Sequence, residues 1–259
     1  TPIRCIVVRI SVVVSSQLIF TLSASAPSSE LIDRLYEHVI VGDFDSAVAD
    51  TKSLESSGKG DLISQVIKKL IDGGLPNIMV YAYKVYQVNP DIIKKRFPLQ
   101  FRMVFESSTV KLIYKRDNLA MKLSAAVDSE GDRTAYGDKD DKSSDRVSWK
   151  LIPFLEGDQV YFKIMSVKVG QYLKLGTDTD SDGEHQAYGS SGADSFRHQW
   201  YLVPEFYEGE LLFYIYNREY NQALKLGRDL DRDNDRQVYT NYADVIGKPE
   251  LFGFYIKPL

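Results

Sequence analysis

Cysteine is almost missing from this chain: Cys5 is the only one in 259 residues. A disulfide within the chain is therefore excluded, and so is any zinc site built on two thiolates. The count does not fix a compartment, because two domains of this length hold together without staples. Histidine is nearly as scarce. His38, His185 and His198 show no metal-ligand spacing, and each reads as an exposed or capping side chain. A basic surplus is lacking too: 32 Lys and Arg stand against 36 Asp and Glu, for a net charge of −4, with the two signs interspersed. That excludes the clustered basic face of a nucleic-acid binder. No nucleophile elbow, phosphate loop, H-E-x-x-H or dinucleotide fingerprint occurs, and Gly189-Ser190-Ser191-Gly192 reads as a flexible turn. Paired carboxylates are plentiful but sit in turns. A non-catalytic protein without a cofactor is expected. No Asn-x-Ser/Thr sequon is present, so N-glycosylation is not expected.

Long apolar runs are also absent. The one candidate, Ile6-Val7-Val8 with residues 10–22, is broken by Arg9 and by serines, so no transmembrane segment is expected. Ala24-Ser25-Ala26 follows it with the small-residue pattern that signal peptidase reads. Residues 1–26 therefore read as a secretory leader, with an apolar N-terminal arm packed on the folded domains as the alternative.

What the chain does have is helical periodicity first and then a repeat. From Ser28 to about Phe105 apolar residues recur at helical spacing, as in Leu31, Leu35 and Val39. Asp43 and Asp61 suit helix N-caps, Gly73-Gly74 a helix end, Pro76 a first turn and Asn89-Pro90 a further start. Six helices result, the last over Leu99 to Phe105, and their apolar stripes read as the core of a bundle.

Beyond residue 109 three segments repeat one another. Leu119-Ala120-Met121-Lys122-Leu123, Ala135-Tyr136-Gly137 and Trp149-Lys150-Leu151 form the first copy. Leu173-Lys174-Leu175, Ala187-Tyr188-Gly189 and Trp200-Tyr201-Leu202 form the second. Leu224-Lys225-Leu226, Val238-Tyr239-Thr240 and Phe254-Tyr255-Ile256 form the third. The step from Leu to Tyr is 13 residues each time (123 to 136, 175 to 188, 226 to 239). A fixed period marks a repeat architecture. Each copy opens on a β-prone run, at Val110, Val160 and Leu211, so each predicts four short strands and the whole predicts twelve. Three such units, each closed on itself, predict a β-trefoil. The expected fold class is α+β multidomain, an N-terminal all-α helical bundle followed by a C-terminal β-trefoil. The expected divisions are 1–26 leader or arm, 27–105 helical bundle domain and 106–259 β-trefoil domain. Trp149 and Trp200 take equivalent apolar positions and read as core.

Each copy also carries an acidic turn between its second and third strands: Asp128 to Asp132, Asp178 to Glu184 and Asp229 to Asp235. The plainest reading is a polar hairpin turn, in which Asp, Asn and Gly supply the backbone angles. Asp178, Asp180 and Asp182 followed by Gly183 begin like a calcium loop, so they are the candidate metal ligands, although Gly189 stands where the closing Glu belongs. A third reading is carbohydrate binding, in which carboxylates bridge sugar hydroxyls and an aromatic ring stacks on the sugar's C–H face. The candidates for it are Asp128 with Tyr136, Asp180 with Tyr188, and Asp231 with Tyr239. Strand alternation equally allows those tyrosines to face the core.

Several runs in order, Ile113-Tyr114-Lys115-Arg116-Asp117, Val147-Ser148-Trp149-Lys150-Leu151, Gln199-Trp200-Tyr201-Leu202 and Phe213 to Tyr220, resemble the low-molecular-weight, thirty-kilodalton lipoproteins of silkworm haemolymph. Leu35-Tyr36 with Asp43-Phe44-Asp45-Ser46-Ala47 resembles the start of their helical domain, so the likeness covers about residues 28–259. The resemblance implies a secreted plasma protein with a helical domain and a β-trefoil, a storage and carrier role, lipid as a partner, and glucose or glucan binding in antifungal defence. An acidic monomer is expected. Gln199 and Trp200 are adjacent where ricin-type lectins carry Gln-x-Trp, so no ricin-type sugar contact transfers by position.

Overall fold

The computed structural model describes residues 27–139, 145–231, 233–241 and 244–259. The leader or arm expected at 1–26 lies outside the described residues. Six helices come first: α1 (Ser28–Ile40), α2 (Phe44–Ser56), α3 (Gly60–Asp72), α4 (Asn77–Val88), α5 (Pro90–Arg96) and α6 (Leu99–Phe105). Local chemistry sets their ends. The Asp43 carboxylate accepts from the Ser46 N–H, and the Asn89 side chain accepts from the Asp91 N–H with Pro90 at the first helical position. Asp61, expected as a cap, instead lies in the first turn of α3, which already begins at Gly60. Among the described residues no helix is long and apolar enough to cross a membrane.

Twelve strands follow: β1 (Thr109–Tyr114), β2 (Leu119–Leu123), β3 (Arg133–Asp138), β4 (Trp149–Glu156), β5 (Gln159–Ser166), β6 (Tyr172–Thr179), β7 (His185–Ser190), β8 (Gln199–Tyr207), β9 (Glu210–Asn217), β10 (Ala223–Leu226), β11 (Arg236–Asn241) and β12 (Phe254–Pro258). All their pairings are antiparallel, and they join into one sheet. Here the expected fold class needs correcting. The four strands of a copy do not close on themselves, because strand partners are taken from neighbouring copies. β4 pairs along its whole length with β5 of the next copy, β8 with β9 likewise, and β1 with β12 from the far end of the chain. The tips of the β2–β3, β6–β7 and β10–β11 hairpins also cross-pair, β3 with β7 and β11, and β11 with β7. The helices are not confined to the front of the chain either: α7 (Pro249–Phe252) is set between β11 and β12, with Pro249 starting it. In place of a helical bundle followed by a β-trefoil, the fold is a helical layer against one continuous twelve-stranded antiparallel sheet.

The core runs through both layers. Leu35, Ile63, Leu70, Met79, Phe101 and Phe105 of the helices belong to the same buried cluster as Val110, Leu151, Phe162, Trp200 and Phe213 of the strands. Phe101 meets Phe213 edge-on at 6.3 Å, and Phe105 stacks on Phe162 at 6.4 Å. Trp149 and Trp200 are fully buried, and each indole N–H donates to a backbone carbonyl, of Met121 at 2.7 Å and of Leu173 at 3.0 Å. Those bonds remove the cost of burying a polar N–H and tie the last strand to the second in the first two copies.

Candidate functional site

The three repeated hairpins, β2–β3, β6–β7 and β10–β11, gather the residues singled out above. Their loops share one construction. One Asp in each, Asp128, Asp180 and Asp231, opens a five-residue loop and accepts two backbone N–H groups on one carboxylate oxygen. The donors are Glu130 and Asp132 at 2.8 and 2.9 Å, Asp182 and Glu184 at 2.9 and 3.0 Å, and Asp233 and Asp235 at 2.9 and 3.0 Å. Gly131, Gly183 and Asn234 take the fourth position at positive φ, the conformation that glycine and asparagine tolerate. The three candidate aspartates thus hold their own turns first.

The fifth residue of each loop does something sequence reading missed. Asp132 and Glu184 are buried and Asp235 is half-buried, and each pairs with the lysine of a different copy's second strand. Lys174 reaches Asp132 at 2.5 Å, Lys122 reaches Asp235 at 2.8 Å, and Lys225 pairs with Glu184. The pairs run in a ring, second copy to first, first to third, third to second, and so lock the hairpins together. Lys122 also pairs with Asp138. Burial works against its charge, but the bonds to Asp138 and Asp235 outweigh that and raise its pKa. Burial raises the pKa of Asp235, with Lys122 pulling the other way. The signal was present in sequence as a lysine and an acid at fixed places in every copy.

The tyrosines are neither core nor free. Ala135 and Gly137, Ala187 and Gly189, and Val238 and Thr240 face inward, which leaves Tyr136, Tyr188 and Tyr239 half-buried on the outer face. Tyr188 lies over Gly176 and Tyr239 over Gly227, each ring occupying the space a side chain there would fill. Their hydroxyls donate to Gln186 at 2.7 Å and to Gln237 at 2.6 Å. Burial, then the surrounding negative charge, raises the pKa of both.

One open cleft of about 550 Å³ lies between the β6–β7 and β10–β11 hairpins. Asp180, Asp182, Asp231 and Tyr239 line it together with Glu184, Gln237 and Asn241. Asp128, Tyr136, Asp178 and Tyr188 do not, so the structure brings four of the eight candidates together at one place and leaves the other four outside it. Carboxylates, amides and a phenol around an open cleft can accept and donate hydrogen bonds to a polyhydroxylated ligand. Among the described residues, no group of three or more His, Cys, Asp or Glu is gathered as metal ligands.

The histidines differ from expectation. His185 and His198 are buried rather than exposed. His185 stacks on Tyr220 at 3.8 Å and bonds the Gly176 carbonyl at 3.0 Å. His198 lies 2.8 Å from the hydroxyls of both Ser190 and Ser195. Gly189 and Ser190, read as part of a turn, end strand β7.

Known proteins similar to the chain are now informative. The family description "Lepidopteran low molecular weight (30 kD) lipoprotein" matches residues 29–258. Microvitellogenin of Manduca sexta is 55% identical over 240 residues, which cover 92% of this chain and 96% of that protein. Low molecular mass lipoprotein 3 of Bombyx mori is 44% identical over 240 residues, covering 92% and 94%. Among solved structures, the SDF2-like protein of Arabidopsis thaliana matches 59% of this chain and 96% of its own, at 12% identity and a TM-score of 0.48. That likeness is too distant to bear on function.

Proposed function

Because the chain belongs to the lepidopteran low molecular weight (30 kD) lipoprotein family, we propose that it is a secreted, non-catalytic storage and carrier protein of insect haemolymph with lipid as cargo. The observation that carries this reading is the match, over 92% of the chain, to a microvitellogenin and to a low molecular mass lipoprotein, names that speak of yolk and of lipid. The construction of the chain agrees with a durable store. The hairpins are tied by ion pairs, and the two tryptophans are buried with their N–H groups bonded. Protein isolated from haemolymph, extracted with organic solvent and analysed by mass spectrometry, should release lipid at a fixed molar ratio. Lipid-free native protein would overturn the carrier role.

A second reading is favoured by the cleft between the β6–β7 and β10–β11 hairpins: recognition of glucose or glucan-type carbohydrate, as an immune lectin would perform it. Asp180, Asp231 and Tyr239 are the residues of this reading that share the cleft. Asp128 and Tyr136 belong to the β2–β3 hairpin, and Tyr188, although on β7, is not part of the cleft lining. Calorimetric titration with glucose and short β-glucans should give saturable heat that Asp182→Asn and Tyr239→Phe reduce. A flat titration would leave the cleft without a sugar and the carrier reading intact.

A further inference from the structure

A second pocket, away from the acidic cleft, has a different chemistry. It lies where the α3–α4 connection meets strands β8 and β9, and it encloses about 280 Å³. Tyr201 and Tyr216 stand directly opposite each other on the two strands, with ring centroids 5.0 Å apart and planes 5° from parallel. Both rings line the pocket, Asp244 supplies a carboxylate, and Pro76, Val203 and Ile246 complete an apolar rim. Tyr201 donates its hydroxyl proton to Asn221. No described residue forms an ion pair with the Asp244 carboxylate, while Lys248 is bound to its backbone carbonyl at 2.5 Å. The pocket therefore presents a stacked tyrosine pair and one negative charge beside an apolar wall.

We propose that this pocket is a binding site for a quaternary ammonium group. A cation gains from the ring quadrupoles and from Asp244 together. The rim decides which cation. A primary ammonium brings three N–H donors that need acceptors; the lining offers Asp244, the phenol oxygens and Asn221, whose Oδ1 already accepts from Tyr201, while Pro76, Val203 and Ile246 offer no side-chain acceptor. A trimethylammonium brings none, and its methyl groups suit an apolar wall. The volume fits a headgroup rather than a whole lipid. Burial of Tyr201 pushes its pKa up to about 12, and burial, Tyr201 and Asp244 together raise that of Tyr216, so both rings stay neutral under a bound cation. The site stands whether or not the protein carries lipid in bulk.

The test is calorimetric titration of the full chain, at low ionic strength, with choline, ethanolamine and dodecylphosphocholine below its micelle-forming concentration. Choline should bind saturably at one site and more tightly than ethanolamine. Asp244→Asn, an exposed position, should weaken choline by at least about fivefold with the thermal midpoint unchanged. Tyr216→Phe should keep binding, because the ring remains, and Tyr216→Leu should lose it. Tighter binding of dodecylphosphocholine than choline would identify the source as a lipid headgroup, and equal binding would identify a free quaternary amine. Absence of saturable choline heat, equal affinity for ethanolamine, or an unaffected Asp244→Asn would each overturn the site. Lipid still extracted from the native protein would then leave the carrier reading standing.

Discussion

His198 shows how much one side chain can depend on its surroundings. It is buried between Ser190 and Ser195, and burial, then the positive charges of Lys174 and Arg197, pulls its pKa from 6.5 down to about 4. Between those two values the unfolded chain holds a proton that the folded chain does not. Stability is therefore complete above pH 6.5 and falls as pH drops through the window, by up to roughly 3 kcal/mol, with no further loss from this residue below pH 4. His198→Asn should flatten that slope. Urea midpoints measured across the window for both proteins check it, and parallel curves would sink the idea. Lys122 gives the second residue-scale expectation. Its ammonium is enclosed by Asp138 and Asp235, with side chains about a tenth exposed. Lys122→Met should cost about 3 kcal/mol, because it removes the ammonium that Asp138 and Asp235 share in a nearly enclosed site, and adding Asp138→Asn and Asp235→Asn should recover much of that loss. Chemical denaturation of the single and triple variants decides it.

At the scale of elements, the acidic hairpins separate two roles that their composition confounds. If Asp128, Asp180 and Asp231 act chiefly as turn acceptors, Asp→Asn at each should be nearly neutral, since the amide oxygen still accepts both N–H groups. Asp→Ala should cost about 1 kcal/mol per loop in thermal denaturation. Equal losses for Asn and Ala would show that the charge, not the acceptor, matters there. What was readable from sequence follows the same division between near and far. Asp43 and Asn89-Pro90 mark helix starts because their partners lie two or three residues away. The repeat marks twelve strands because each is a local run. Neither says which strand pairs with which. β4 joining β5 of the next copy, or β1 joining β12, depends on contacts between distant segments, so the expected self-closed units were not what formed. The lysine ring was missed for the same reason: Lys122 and Asp235 come from opposite ends of the strand region. The tyrosines were undecided between two faces until the buried Ala135 and Gly137 fixed which residues point inward.

For the whole molecule, the consequence of one buried cluster spanning helices and strands is mechanical coupling. The helical segment 27–105 and the strand segment 106–259 are separable in sequence, yet Phe101 and Phe105 of α6 insert their rings against Phe213 and Phe162 of the sheet. Opening either layer exposes the apolar face of the other, which ties their unfolding together. Far-UV circular dichroism reads mainly the helices, while fluorescence of Trp149 and Trp200 reads the sheet, since both are buried there. The two signals should trace one urea transition at the same midpoint. Phe105→Ala removes the stacked contact with Phe162 and should lower the midpoint by an amount equivalent to about 3 kcal/mol in both signals alike. Were the layers independent, the wild-type signals would separate, and Phe105→Ala would widen that separation. A carrier built this way could not shed its helical layer while its sheet stayed folded, so any cargo held at their seam would be released only by motion within the native state or by unfolding of the whole.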